Sequence, residues 1–367
     1  MQAGKGSADL EQEVLSQGLC TSCGACVNIC PYIKVVRDKV AVIEPCGLTE
    51  GKCYDFCPRT PTDIAALDKS VFGKTRSDYS LGPYISIEMA QARDSEVRCR
   101  AQYGGVVSAL MKYALDTGEI SNAVLTRPFA EAMMPASVVV EESRQLEECS
   151  GSNYVSSATL AKMNEATKQS KDSLGLVGIP CQVLALRKMQ ASKHETGAKN
   201  VKLVIGLFCT WALYYKGFSE FLKGKVDLSQ VRRIDIPPPP ANVMVVETAA
   251  GDIRLSLDEV RKFIKPACGV CYDMTSEFAD ISVGMVEGIE DWNTLVVRTP
   301  AGKKFIDKAK KAAVINTKPL EKKRLEHLKQ ASSLKKKRAV DAIQKRTNDR
   351  KNLLYLRLSA QEKKKFL

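Results

Sequence analysis

The chain has 367 residues, 44% of them apolar and 26% charged, the composition of a soluble globular protein with room for two or three domains. Two histidines among 367 residues argue against imidazole metal sites, Ser-His-Asp hydrolysis and histidine general-base chemistry. The net charge of +13 sits in the tail: residues 318–367 carry 17 Lys and Arg against 5 Asp and Glu, whereas the other 317 carry 38 against 37.

Residues 1–17 read as a polar lead-in without the apolar core of a signal peptide. No stretch approaches the ~18 consecutive apolar residues of a spanning helix, so a cytoplasmic protein is expected. Thirteen cysteines in that compartment point to metal ligation or redox chemistry, because its thiols are kept reduced.

Residues 18–66 hold seven of the thirteen cysteines. Cys20, Cys23, Cys26 and Cys30 form C-x2-C-x2-C-x3-C-P, the spacing of bacterial ferredoxins. Closely spaced thiolates let one loop wrap three corners of a cubane, while the fourth cysteine reaches a neighbouring cluster. Zinc fits less well, since its sites pair two separated C-x2-C knuckles. Cys46, Cys53 and Cys57-Pro58 make a second, shortened motif. By the crossover rule Cys57 completes the first cluster, leaving Cys30, Cys46 and Cys53 as three ligands for a second. That second site is open to three readings: a 3Fe–4S centre, a 4Fe–4S cluster with a non-cysteine or distant ligand, or an empty remnant.

Residues 80–317 alternate helix-like and strand-like stretches, predicting an α/β body. The apolar positions 106, 107, 110, 111, 114 and 115 predict a helix closed by Gly118. Strands are expected at 122–127, 174–180, 201–209 and 242–248, and the tetraproline at 237–240 is expected to form a rigid link between two strands. Cys181 and Cys209 each follow a predicted strand, and Cys268 and Cys271 form another C-x2-C. Sites in α/β folds gather at carboxyl ends of strands, so these four can converge; buried free thiols, zinc or a redox dithiol fit the spacing as well. Cys99 and Cys149 have no partner pattern. Gly104 and Gly105 precede the predicted helix, where bare backbone suits either a pyrophosphate or a plain glycine cap. There is no G-x-G-x-x-G fingerprint. The tail from Lys318 is expected to be helical, with apolar residues at 325, 328, 331 and 334 and a basic solvated face.

The order of the ferredoxin motif, YGGVVSAL, VGIPCQ, GLFC, PACGVCYDMTSEFADISVG and WNTLVVRT resembles the beta-subunit family of coenzyme F420-reducing hydrogenases and dehydrogenases, over residues 18–317. The resemblance implies an α/β flavoprotein body with FAD and one 4Fe–4S cluster on Cys181, Cys209, Cys268 and Cys271. The fused ferredoxin-type domain would bring the total to two or three clusters. It also implies flavin contacts from Gln102, Gly104, Gly105, Val106 and Ser108, from Ser152, Asn153 and Tyr154, and from Asp280, Ser282, Gly284, Trp292, Asn293 and Thr294. The implied activity is electron transfer between coenzyme F420 and another redox subunit, by way of FAD and the clusters. An alternative is a conduit subunit of a hydrogenase, formate dehydrogenase or heterodisulfide-reductase-like complex that uses ferredoxin or NAD(P)H. The basic run 333–346 is a candidate for docking an acidic carrier or partner. A nucleic-acid ligand is not expected, because aromatic residues are not interleaved with the charges.

Overall fold

The computed structural model describes residues 4–131, 134–238 and 240–367; Met1 to Ala3, Ala132, Met133 and Pro239 lie outside them. The body is built on one eight-stranded sheet. Across it run Ile315–Pro319, Ser86–Ala92, Ile289–Val297, Ile281–Val286, Val201–Leu207, Leu174–Gly178, Asn122–Glu131 and Met134–Val140. The four consecutive strands from 281–286 to 122–131 are parallel, and the flanking pairs are antiparallel. Buried parallel strands favour continuous β-branched runs, as in VKLVIGL at 201–207. Helices Thr159–Gln169 and Pro180–Ala191 make the crossovers that parallel pairing requires.

A three-stranded antiparallel sheet, Val231–Asp235, Val243–Thr248 and Gly251–Ser256, is inserted between Cys209 and Cys268. It has its own small core around Phe218, Leu222, Met244 and Val260. The tetraproline links its first two strands, and Pro239 lies outside the described residues.

The head and the tail share a core with the body. Leu10, Ile33 and Phe56 from the head, Leu160 and Val183 from the body, and Val340 and Tyr355 from the tail belong to one apolar cluster. The lead-in is therefore not a loose start: helix Ser7–Leu10 buries Ser7 and Leu10. At residue 24 a Cβ would stand 2.5 Å from Ala161 N and 2.7 Å from Ala158 O. Its φ of 85° and that close approach both require glycine.

The tail is helical over Lys322–Thr347, but its inward face is not the one expected. Leu334 is 52% exposed, while Ser332, Lys335, Lys336, Ala339, Val340 and Ile343 are buried. The apolar spacing at 325–334 misleads because the helix lies over a charged interior. Lys336 pairs with Glu277 at 2.6 Å, and Glu277 also accepts from Arg76 at 2.6 Å. Arg76 forks onto Asp68 at 2.7 and 2.8 Å. Beyond the helix, Leu356–Arg357 pairs in parallel with Thr62–Asp63 of the head. The Tyr355 hydroxyl donates to Val270 O at 2.9 Å. The tail thus straps the head to the body.

Candidate redox centres

The loop from Cys20 to Cys30 docks its backbone on helix Thr159–Gln169. Leu160 N donates to Cys23 O at 3.0 Å, and Asn164 Nδ2 donates to Val27 O at 2.7 Å. Held this way, Cys20, Cys23, Cys26 and Cys57 face one another as electrostatic neighbours. Burial and the adjacent sulfurs push Cys23 up to about 12, and burial pushes Cys57 up to about 11. Such thiols stay protonated alone; iron is what makes a buried thiolate set stable, so these residues fit a cluster.

Cys53 has Cys30 and Cys46 as its sulfur neighbours, and burial pushes it up to about 11. Beyond these three, Cys26 of the first set also interacts with Cys53. Ser7 Oγ lies 3.1 Å from Cys46 Sγ and accepts from Cys46 N at 3.2 Å. Its hydrogen bond holds the Cys46 thiol below its ordinary value. Donors to different irons are kept apart by the inorganic core, so an oxygen in contact with a ligand sulfur supports that ligand rather than filling the missing corner. At the rim of this set His194 Nε2 stands 3.1 Å from Asp55 Oδ2, and Glu50 pairs with Lys193.

In the body, Cys181 opens helix Pro180–Ala191 directly after strand Leu174–Gly178, and Cys209 follows strand Val201–Leu207. Cys268 lies in the short turn Pro266–Gly269, with Cys271 just beyond. The fold brings these four together: Cys181 and Cys209 each interact with Cys268 and Cys271. Ala212 N donates to Cys268 Sγ at 3.3 Å. Burial pushes the Cys271 thiol up, but the Lys335 and Arg59 charges outweigh it and leave the thiol below its ordinary value. Neither cation was singled out from the sequence. Cys181 also interacts with Cys23, and Cys26 with Cys53, so the three cysteine sets follow one another.

The residues expected around a flavin separate into two groups. Gln102 donates to Asp235, Tyr103 OH reaches the same oxygen at 3.3 Å, and Gln102 interacts with Tyr154. The Tyr154 ring stands 5.9 Å from that of Trp211. Buried Gln102 Oε1, Asn153 Nδ2 and Ser156 Oγ have no protein partner, an unusual state that a bound polar group would relieve. Gly105, at φ 69°, caps helix Val106–Asp116, which begins with Val106 and carries Ser108 in its first turn. Ser152 is partly exposed in the adjoining loop. The unpartnered polar atoms on this side fit a polar ligand such as a flavin dinucleotide, and Tyr103, Trp211, Ser156 and Asp235 are neighbours that sequence reading did not pick out. Asp235 lies two residues before the proline run, a weak signal in hindsight.

The second group is engaged elsewhere. Asp280 accepts from Val204 N at 2.9 Å, Arg187 at 3.0 Å and Thr299 at 2.8 Å. Ser282 accepts from Arg298 at 2.7 Å and donates to Ser276 O at 3.0 Å. A Cβ at Gly284 would meet the Phe208 ring at 2.0 Å. Thr294 donates to Met285 O at 3.0 Å. Asn293 caps Val106 N at 3.3 Å and donates to Gly284 O at 3.2 Å, and Trp292 carries Lys318 over its ring at 3.9 Å. Of the six residues expected to line the flavin, Asp280, Ser282, Asn293 and Thr294 hydrogen-bond to neighbouring protein groups. The segment is a buried strand pair whose polar atoms are satisfied by protein, and only Asn293, at the helix start, adjoins the first group.

The comparisons with known proteins agree with this layout. The model of the 4Fe-4S binding domain matches residues 13–32. A mixed α/β body carrying a ferredoxin-type head defines an iron–sulfur oxidoreductase. The models of the coenzyme F420 hydrogenase/dehydrogenase beta subunit match at 88–164 for the N-terminal part and 171–323 for the C-terminal part. The coenzyme F420 hydrogenase subunit beta of Methanothermobacter thermautotrophicus is 32% identical over 71% of this chain and 94% of that protein. The coenzyme F420-dependent sulfite reductase of Methanocaldococcus jannaschii is 29% identical over 86% of this chain, which spans 50% of that relative. A chain from the F420-reducing [NiFe] hydrogenase complex of Methanosarcina barkeri superposes with a TM-score of 0.69 at 28% identity, covering 73% of this chain and 94% of that one. The chain belongs to the coenzyme F420 hydrogenase/dehydrogenase beta-subunit family. No helix among the described residues is long and apolar enough to cross a membrane.

Proposed function

We propose that the protein passes electrons between a two-electron carrier, the deazaflavin coenzyme F420, and a partner redox subunit. FAD bound beside Gln102, Gly105, Asn153 and Tyr154 would supply the exchange of a hydride for single electrons. The protein's part is positional. The Gly104-Gly105 backbone opens the start of helix Val106–Asp116, and Gln102, Asn153 and Ser156 offer unpartnered polar atoms to orient a bound ring or chain. Cys181, Cys209, Cys268 and Cys271 would hold the body cluster, Cys20, Cys23, Cys26 and Cys57 the first head cluster, and Cys30, Cys46 and Cys53 the second.

The observation that carries this reading is the succession of the three sets, Cys181 beside Cys23 and Cys26 beside Cys53. Such a series suits single-electron transfer from a buried body site to the head. The test is anaerobic purification with iron and flavin counts, followed by separate trials of reduced F420, NADH, NADPH and reduced ferredoxin. About eleven to twelve irons are expected if all three sets are filled, since a cubane holds four. Bound FAD and reduction by F420 are expected as well. Absence of flavin would overturn the reading, and reduction by another carrier alone would overturn the choice of F420.

A further inference from the structure

Arg59 and Lys335 are each only 5% exposed, yet neither pairs with a carboxylate among the described residues. Arg76 pairs with Asp68, Lys265 with Asp38 and Lys336 with Glu277, while Arg298, which also lacks a carboxylate partner, is satisfied by oxygens of Ser282, Leu81, Pro83 and Thr275. The Arg59 guanidinium donates to the carbonyls of Pro58 and Ala267, at 3.2 Å each, and engages Cys271, while its Nε has no partner. Its guanidinium stacks 4.6 Å from the Tyr355 ring and shares with Cys181 and Cys271 the wall of a cavity of about 20 Å³. Lys335 Nζ donates to Cys209 O at 2.6 Å. A buried charge with no counter-charge is strongly unfavourable, so both point to an anion between them. Lys335 faces Cys271, Cys209 and Cys268 together with Asp273, and Arg59 faces Tyr355, Cys271 and Cys181, so the body cysteines are the groups that the two cations share.

We propose that Arg59, from the head, and Lys335, from the tail, are the counter-cations of the cluster on Cys181, Cys209, Cys268 and Cys271, and that they set its reduction potential. The inference rests on the ligand set proposed above. Four thiolates around an iron–sulfur core leave that site net negative, and reduction adds one further electron. Nearby positive charge stabilises the reduced form more than the oxidised one, which raises the potential. Arg59 also donates its backbone N–H to Cys57 Sγ at 3.4 Å, so one residue touches a sulfur of the first head set and the surroundings of the body set. It is a positioning residue for electron transfer between them.

The test uses the full chain, purified anaerobically with its clusters. Arg59→Met and Lys335→Met are followed by iron and sulfide content and by redox titration under electron paramagnetic resonance. Each variant should keep its iron and lower the body-cluster midpoint, changing the reduced-to-oxidised ratio at a fixed potential about tenfold or more, or about 59 mV for one electron. Arg59→Lys should restore most of the shift, and Lys337→Met, an exposed neighbour, should leave the midpoint unchanged. Unchanged midpoints with full iron in both Met variants would overturn the proposal. So would an equal shift in Arg59→Lys, since that would trace to packing rather than charge. If Arg59→Met fails to fold, Lys335→Met decides the question alone. Cys268→Ser separates the two readings: if the titrating signal survives it, the ligand set is wrong, whatever the cations do.

Discussion

The body cysteines and the second head set use the same side chain in opposite settings. Cys181, Cys209, Cys268 and Cys271 come from three separate segments, lie inside the protein and face two buried cations. Cys30, Cys46 and Cys53 come from one continuous stretch of the head and number three, and the support recorded for Cys46 is neutral, from the Ser7 hydroxyl and the Leu48 backbone. Cluster potentials follow net charge, hydrogen bonding and solvent exposure. The difference therefore teaches that the body site is tuned by charge brought from the head and the tail, whereas the second head site is tuned locally and weakly.

The largest test of that contrast removes the body site. Cys268→Ser should lose about four irons per chain and uncouple flavin reduction from reduction of the head clusters. Iron analysis and stopped-flow reduction check this, and full turnover would refute the ligand assignment. The next test loosens the strap rather than the site. Arg76→Ala leaves Asp68, at 0% exposed, without its fork and takes one cation from Glu277. Breaking such a buried pair costs about 3–5 kcal/mol, measurable by denaturant unfolding of the cluster-loaded protein. A loss below about 1 kcal/mol, the range of surface pairs, would show that the head and tail are not bound to the body as tightly as their common core implies. Tyr355→Phe probes the same strap more gently. It removes the hydroxyl that donates to Val270 O and accepts from Tyr272 N at 3.3 Å, for an expected cost of about 1–3 kcal/mol.

How much of this was legible in the sequence follows from how local each signal is. The grouping of the first head set was readable because its spacing keeps three cysteines within seven residues, and the structure sets Cys57 beside them. The body set was half readable. Strand ends placed Cys181 and Cys209, but only the fold brings Cys268 and Cys271 back to them across the inserted three-stranded sheet. Lys335 was hidden in a run of four basic residues, where the rotation of the helix alone decides that Lys335 and Lys336 turn inward while Lys337 and Arg338 remain outside. The surroundings of Asp280 and Ser282, expected as flavin contacts, were hidden for a related reason. A polar residue in an apolar strand reads as a ligand contact, but here Arg187 and Arg298, distant in sequence, already satisfy those atoms.

The smallest effect belongs to the second head set and bears on whether it is filled. Cys46→Ala should abolish a distinct paramagnetic signal while leaving the body-cluster midpoint in place; an unchanged spectrum would show that this site holds no cluster. Ser7→Ala is the finer probe, because it keeps all three cysteines. Ser7 is fully buried, and its hydroxyl contacts the Cys46 sulfur, which the Leu48 backbone also supports. A hydrogen bond to a ligand sulfur withdraws electron density from it and favours the reduced cluster, so its removal should lower the midpoint of the second site. The shift should be smaller than that from Arg59→Met at the body site, since a neutral dipole stabilises added charge less than a full buried cation does. An equal or larger shift would reverse the contrast between the two regions, making the lead-in helix, rather than the head and tail cations, the stronger control on the path of electrons.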